Sequence, residues 1–587
     1  MPSFPGACPG EGLKRRYRTV GARPADCRGD ARREGPHGPA VGPGSPWACG
    51  RAASTLDVLS TRARRTGKDV TLPQTGTVAA RGPETPLAAG ADLHPAVAET
   101  HTAVVILVGD RAYKAKKPVD MGFLDFSSAS ARQRACIREV ELNRRFSPDV
   151  YEGVGEFRGP GGLPPEPVVV MRRMPGSRRL SHLVAIGAPV TEHVRQVARL
   201  LATCHARSSR TTDISRAGTR DALLSRWESS FAQVREQGEG VAPLHGLEET
   251  EERVRRYLAG REDLFDRRIR QSRVVDGHGD LLAEDIFCLD DGPRLLDCLE
   301  FDDTLRHVDG LDDAAFLAMD LERLGAPDTA AYFLSCYSEY AGDPAPTSLW
   351  HHYVAYRAFV REKVAVLRAG QGAPEARSEA VRLAGITVGH LRTSAVRMIL
   401  VGGLPGTGKS TLAAALADRL GLTLLSSDRI RKELSGKPPQ APAGAEYGRG
   451  IYSPEWTRRT YGELVARATA LLSAGESVVA DATWTSRELR GTATDAARLC
   501  SADLVPLVCS VPQAVADRRL TGRRPGPSDA DAAIAQAMAR AADPWPEAVQ
   551  VDTGGVLASA VGQALAAIHP EGAGQRPPFR RPYMMPG

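Results

Sequence analysis

The chain has 587 residues, too many for one ordinary domain, and its 42% hydrophobic and 25% charged content is that of a soluble globular protein rather than a fibrous or disordered one. The net charge of +6 belongs to one end: residues 1–70 hold 13 Lys/Arg against 6 Asp/Glu, a local +7, which leaves −1 for the remainder. The basic balance therefore gives no argument that the folded part binds nucleic acid.

Residues 1–92 read as a disordered leader, since the first 50 contain 18 Gly plus Pro and too little periodic hydrophobicity to offset the entropy of ordering. No apolar segment with a cleavage site follows the N-terminus. The first strand-like run is Ala103–Val108, far short of the roughly 18 apolar residues of a membrane span. It turns at "VGDR" and resumes through Ala112–Lys117, the pattern of a hairpin. A helix is expected from about Ser128 to Phe146 and a strand at Val168–Met171. Residues 180–270 and 309–394 read as mostly helical, and between them Val274–Asp303 reads as a strand, a loop and a hairpin. The aromatic residues of Leu349–Phe359 recur at helical spacing and are expected in the core.

From Arg397 short apolar strands alternate with helices, which predicts a parallel sheet covered on both faces. The expected limits are 93–394 for the first folded region and 395–570 for the second, with a disordered tail over 571–587. The ten cysteines are scattered and form no CxxC pair, which points to reduced thiols in a cytoplasm.

Within the second region "GLPGTGKS" follows a strand and opens a helix, the context a phosphate-binding P-loop requires. The loop of Gly403, Leu404, Pro405, Gly406, Thr407 and Gly408, with Thr411 beyond, is expected to wrap ATP phosphates with its available backbone N–H groups at the positive end of a helix. Lys409 would reach the β- and γ-phosphates and Ser410 would ligate Mg²⁺. Asp428, after the next strand, can accept a hydroxyl proton or cap a helix; Arg431, one turn on, can hold an anionic group. Asp481 ends a buried strand, the place for a Mg²⁺–water ligand, and no Glu follows it to activate water as in many motor ATPases. Arg519 and Arg523, in "RRLTGRR", have the setting of a closing lid.

These motifs, with "SSDRIRKEL", "YSPEW", "VVADATW" and "GRRPGPSDAD", resemble the bacterial P-loop kinases labelled AAA that are similar to the gluconate-kinase and polynucleotide-kinase groups. That likeness implies Asp428 as base and Arg431 as its assistant. The first region resembles aminoglycoside-phosphotransferase-like enzymes, in the version fused upstream of a P-loop kinase, through "HGDLLAED", "LLDCLEFDD", "AYKAKKPV" and "REVELNRRF". The resemblance implies an α+β protein-kinase-like fold, with Asp280 as base, Asp297 as Mg²⁺ ligand, and His278 bracing the loop. Strand alternation leaves Lys114 and Lys116 as candidates for the α/β-phosphates; the family pattern favours Lys116, paired with Glu139. Asp285 replaces the Asn expected as second metal ligand, and a carboxylate supplies a hard oxygen from nearly the same position.

The expected function is that of a cytoplasmic two-kinase fusion using Mg·ATP on hydroxyls of small molecules. The alternatives are a degenerate regulatory first region beside an active P-loop kinase, perhaps on nucleic-acid 5′ ends, and a nucleotide-switched interaction protein. His205 reads as a packed or capping helix residue.

Overall fold

Ala96–Glu99 (β1), Ala103–Val108 (β2), Arg111–Lys116 (β3), Tyr151–Phe157 (β4) and Glu166–Arg172 (β5) form an antiparallel sheet of order β1-β2-β3-β5-β4. The structure is a computed structural model that describes residues 94–100, 102–120, 124–159, 164–238, 246–370, 372–373, 375–438, 448–522 and 532–569, all within one compact unit. The leader expected over 1–92 and the tail over 571–587 lie outside the described residues, as does Arg523.

Strand alternation places Ala112, Lys114 and Lys116 on one face of β3, and all three are buried. They are covered by α1 (Ala129–Asn143), whose N-cap Ser128 accepts the Ala131 N–H at 3.2 Å and whose buried face carries Cys136, Glu139 and Val140. β1 and β4 were not legible as strands: β1 is exposed along its length, and β4 contains two glycines and a bulge between Tyr151 and Gly153.

Helices dominate the next stretch, among them α2 (Thr191–Arg207), α3 (Leu247–Ala259), α4 (Gly310–Arg323) and α5 (Thr347–Gly370). The aromatic run of α5 is core, as its spacing predicts: Phe359 lies 5.3 Å from the ring of the fully buried Trp227. Between the helices, Val274–Asp276 (β6) pairs with His307–Asp309 (β9), and Ile286–Leu289 (β7) pairs with Gly292–Leu295 (β8), each antiparallel. The β6–β9 ladder pins both ends of the segment that carries "HGDLLAED" and Asp297.

The second region has the predicted parallel sheet. Arg397–Gly402 (β10), Thr423–Ser426 (β11), Val478–Asp481 (β12), Asp503–Ser510 (β13) and Val549–Asp552 (β14) lie in the order β11-β12-β10-β13-β14. Around it pack α6 (Lys409–Leu420), α7 (Ser427–Leu434), α8 (Pro454–Ser473) and α9 (Arg487–Leu499). The chain leaves β10 to one side for β11 and β12 and returns on the other for β13, so the C-terminal ends of these strands open a crevice. One buried cluster runs from α2, α3 and α5 into α8, α9 and β12, joining the two regions through apolar packing. No helix among the described residues is long and apolar enough to cross a membrane.

Candidate active sites

The loop after β6 is held from beneath by a residue the sequence reading did not single out. Asp313, in the first turn of α4, is fully buried and accepts the backbone N–H groups of His278 at 2.7 Å and Gly279 at 2.8 Å. His205 Nε2 adds a third bond at 2.9 Å, while Tyr337 OH lies 2.8 Å from His205 Nδ1 and fixes the ring. Burial alone would raise the Asp313 pKa, but the bond from His205, its charge and that of His278, and the loop N–H hold it well below the ordinary value. A Cβ on Gly277 would stand 2.6 Å from the Asp313 carboxylate, so this close approach requires glycine. The available signal was a pair of aspartates in an otherwise apolar helix, "GLDDAAFLAMD".

His278 braces the loop. Its Nε2 donates to the Leu296 carbonyl at 3.0 Å, its ring meets Phe146 edge-on at 5.1 Å, and burial pushes its pKa down to about 4. Beside it Asp280 is half-buried, and burial, reinforced by the negative charge of Asp297 against the pull of Arg361, raises its pKa to about 6. Asp285 is pushed well above the ordinary carboxylate range by burial and by the charges of Asp297 and Asp280. Asp297 sits at φ 64°, a left-handed conformation costly for a non-glycine residue, and its N–H donates to Tyr151 OH at 3.1 Å. Burial works to raise its pKa too, but Lys114 and Lys116 outweigh it and keep the carboxylate ionised.

Both candidate lysines reach Glu139, Lys114 at 2.9 Å and Lys116 at 2.6 Å. They differ in their second partner. Lys114 pairs with Asp297, whereas Lys116 turns to Glu300 and is 1% exposed. The pairing of Lys116 with Glu139 is present, but the lysine facing the Asp297 side of the cleft is Lys114. Among the described residues no three His, Cys, Asp or Glu side chains form a group able to hold a metal ion, so Asp280, Asp285 and Asp297 are not a preformed three-carboxylate cage.

In the second region the loop Gly403–Ser410 joins β10 to α6. Gly406 has φ 84°, and a Cβ there would stand 2.8 Å from the Ala516 carbonyl, so the loop needs glycine for conformation and for space. Thr407 donates its hydroxyl to Leu404 O at 2.8 Å, which closes the turn. Lys409 is buried and borders two cavities. One, about 370 Å³, is lined by Gly406, Gly408, Ser410, Thr411, Arg519 and Thr553. The other, about 450 Å³, is lined by Pro405, Asp428, Arg431, Tyr461, Thr483 and Ser486, among others.

Asp428 is the second residue of α7, and Ser426 holds the N-cap position, so the capping role does not fall to Asp428. Asp481 ends β12 buried, with Oδ1 lacking a hydrogen-bond partner. Burial raises its pKa, against the opposing effect of the Lys409 charge and the Ser410 hydroxyl. Arg431 is buried beside the Tyr452 ring; it donates to Ile451 O at 2.6 Å, and its Nε has no hydrogen-bond partner. Burial lowers its pKa, and the nearby Asp428 works against that. Arg519 donates to Thr553 O at 2.8 Å, beside the P-loop. Tyr461, Thr483 and Ser486 gave no sequence signal, since hydroxyl residues are common on any surface.

A family model described as "AAA domain" matches residues 398–545. The Mycobacterium tuberculosis protein Rv2004c, described as uncharacterized, is 43% identical over 480 residues, which cover 81% of this chain and 96% of that protein. Among solved structures, the GDP and kanamycin complex of APH(2″)-IIia aligns with 50% of this chain and 93% of its own, at 17% identity and TM-score 0.34. A gluconokinase from Sinorhizobium meliloti aligns with 30% and 91%, at 20% identity and TM-score 0.23.

Proposed function

We propose that this chain, which belongs to the family of the mycobacterial protein Rv2004c, is a phosphotransferase with two Mg·ATP-dependent sites, each acting on a hydroxyl of a small molecule. The observation that carries the reading is the position of Lys409. It lies between a cavity formed by the P-loop and the first turn of α6, suited to donor phosphates, and one lined by Asp428 and Arg431, suited to an acceptor.

The residues present fit a hard divalent cation. Asp481 Oδ1 is buried without a hydrogen-bond partner beside Ser410. In the first region Asp285 and Asp297 would hold it; Mg²⁺ binds through one or two carboxylates together with phosphates and water, so a three-ligand cage is not needed. Bound Mg·ATP supplies a transferable γ-phosphoryl group with part of its charge offset. This chain's residues do the rest. Lys114 and Lys409 hold phosphate charge, Asp280 and Asp428 accept the acceptor's proton, and Arg431 orients the acceptor or steadies charge beside it. A base with pKa about 6, as at Asp280, is largely ionised at neutral pH and still basic enough to take a proton. Arg519 completes the donor side of the P-loop site.

The test is acceptor-dependent ADP release by the full chain across a panel of hydroxylated metabolites and 5′-hydroxyl oligonucleotides. Turnover that survives Asp280→Ala but not Lys409→Ala belongs to the second site, and the reverse belongs to the first. Absence of acceptor-dependent release across the panel, with ATP bound, would favour a nucleotide-switched interaction protein. Persistence of only the Lys409-dependent activity would make the first region regulatory.

A further inference from the structure

The turn that follows β12 touches both halves of the second site. Ala482 donates its N–H to Val401 O at 3.3 Å, and the Thr483 carbonyl accepts the Gly403 N–H at 3.2 Å, so the turn rests against the start of the P-loop. The half-buried Thr483 side chain lines the cavity that also holds Asp428 and Arg431, and its Oγ1 lies 3.0 Å from Tyr461 OH.

Trp484 fixes this arrangement. It has φ 53°, a left-handed conformation costly for a bulky residue, and it is fully buried. Its N–H donates to Tyr461 OH at 3.2 Å and its Nε1 to Ala480 O at 3.1 Å, while its carbonyl accepts Arg490 Nη1 at 2.8 Å. The Tyr461 ring meets the indole edge-on at 5.1 Å. A strained residue held by so many contacts keeps Thr483 at one place between the P-loop and the cavity.

The hydrogen bonds also have a direction. Tyr461 is 3% exposed, and burial raises its pKa, so the phenol keeps its proton. Its oxygen accepts the Trp484 N–H, and among the described residues Thr483 Oγ1 is its one remaining partner. A buried hydroxyl left without an acceptor is costly, so the phenol donates to Thr483. A threonine hydroxyl has a single proton of its own, and no bond among the described residues uses it. Thr483 thus presents an unused O–H donor to the cavity.

A donor aimed at the attacking oxygen would tie up the lone pair that must reach the phosphorus, so its partner is a different oxygen. We infer that Thr483 is an acceptor-binding residue of the second site, its hydroxyl donating to an oxygen that neighbours the one phosphorylated. This rests on the function proposed for that site and narrows its acceptor to compounds with an adjacent hydroxyl, ether or carboxylate oxygen. Tyr461 and Trp484 are positioning residues that act through Thr483.

The experiment is acceptor-dependent ADP release by the full chain in an Asp280→Ala background, which leaves only the second site. Glycerol, ribitol and glycerate are the oxygen-rich probes, and propan-1-ol, which lacks a second oxygen, is the control. The background protein should prefer at least one oxygen-rich probe to propan-1-ol. Thr483→Val should raise the KM for that probe about three- to tenfold, the scale of one lost hydrogen bond, with kcat and Mg·ATP affinity unchanged. Thr483→Ser, which keeps the hydroxyl, should restore the KM. An unchanged KM in Thr483→Val overturns the inference, as does an equal loss with propan-1-ol or no recovery in Thr483→Ser. Should Thr483→Val not fold, Tyr461→Phe decides: the Thr483 hydroxyl loses its orientation, and an unchanged acceptor KM refutes the proposal. If ATP binds and none of the probes is turned over, the second-site reading fails and this inference falls with it.

Discussion

Lys114 Nζ lies 2.9 Å from Glu139 Oε1 and at the same time pairs with Asp297, so one cation ties the first sheet to α1 and to the strand end across the cleft. Lys116, two residues on, is held by Glu139 and Glu300 in the interior. The two lysines should therefore fail differently. Lys114→Ala is expected to lower first-site transfer with a modest change in melting temperature. Lys116→Ala leaves two buried carboxylates short of a partner and should cost about 3–5 kcal/mol of stability, the range for breaking a buried pair. Thermal melts beside ADP release separate the cases; the opposite pattern would return the phosphate contact to Lys116.

The substitution of Asp285 for Asn is expected to leave the first site working. Asp280→Ala and Asp297→Ala should each abolish its transfer, because one removes the base and the other the ionised carboxylate beside Lys114. Asp285→Asn should retain activity, and it relieves the crowding that raises the Asp285 pKa. Mg²⁺ titration of ADP release is the measurement, and loss of activity in Asp285→Asn would make that carboxylate indispensable.

At the second site nucleotide binding and transfer should separate. Lys409→Ala is expected to remove most Mg·ATP affinity there. Asp428→Asn should bind ATP nearly as well while transfer falls by about a hundredfold or more, the range for loss of a general base. Calorimetry with single-turnover kinetics checks both, and normal turnover in Asp428→Asn would remove its catalytic role.

Glu362 in α5 accepts the Thr387 hydroxyl at 3.4 Å, and burial pushes its carboxyl from 4.5 up to about 8. The folded protein holds this proton more tightly than the unfolded chain does. Its contribution to stability is thus fully present below pH 4.5 and is lost as pH rises to about 8. Glu362→Gln should flatten that decline and raise the melting temperature above pH 8 relative to the parent. Identical pH profiles for the two proteins would show that Glu362 titrates normally.

The local determinants were legible in the chain itself. Alternation placed β2 and β3, and the switch to short apolar strands and helices announced the parallel sheet, because side-chain period is a local property. The P-loop could be read because glycines, lysine and serine must be contiguous to wrap a phosphate. Spacing along β3 narrowed the lysine to two candidates but could not choose between them, since both share a face and the choice lies with Asp297 and Glu300, about 180 residues away. Asp313 was hidden for the same reason: its partners, His205 and the loop N–H groups, come from distant segments. The short β6–β9 ladder forms because tertiary packing brings the strand read at Val274 against His307–Asp309, a three-residue segment too short to signal a strand by itself. The close seam at Gly260 exists only because α3 and the turn after α9 converge, and no local pattern encodes the full burial of the neighbouring Arg261. Motif chemistry is written in contiguous residues, whereas pairing, burial and charge balance are set by segments that meet only when the chain folds.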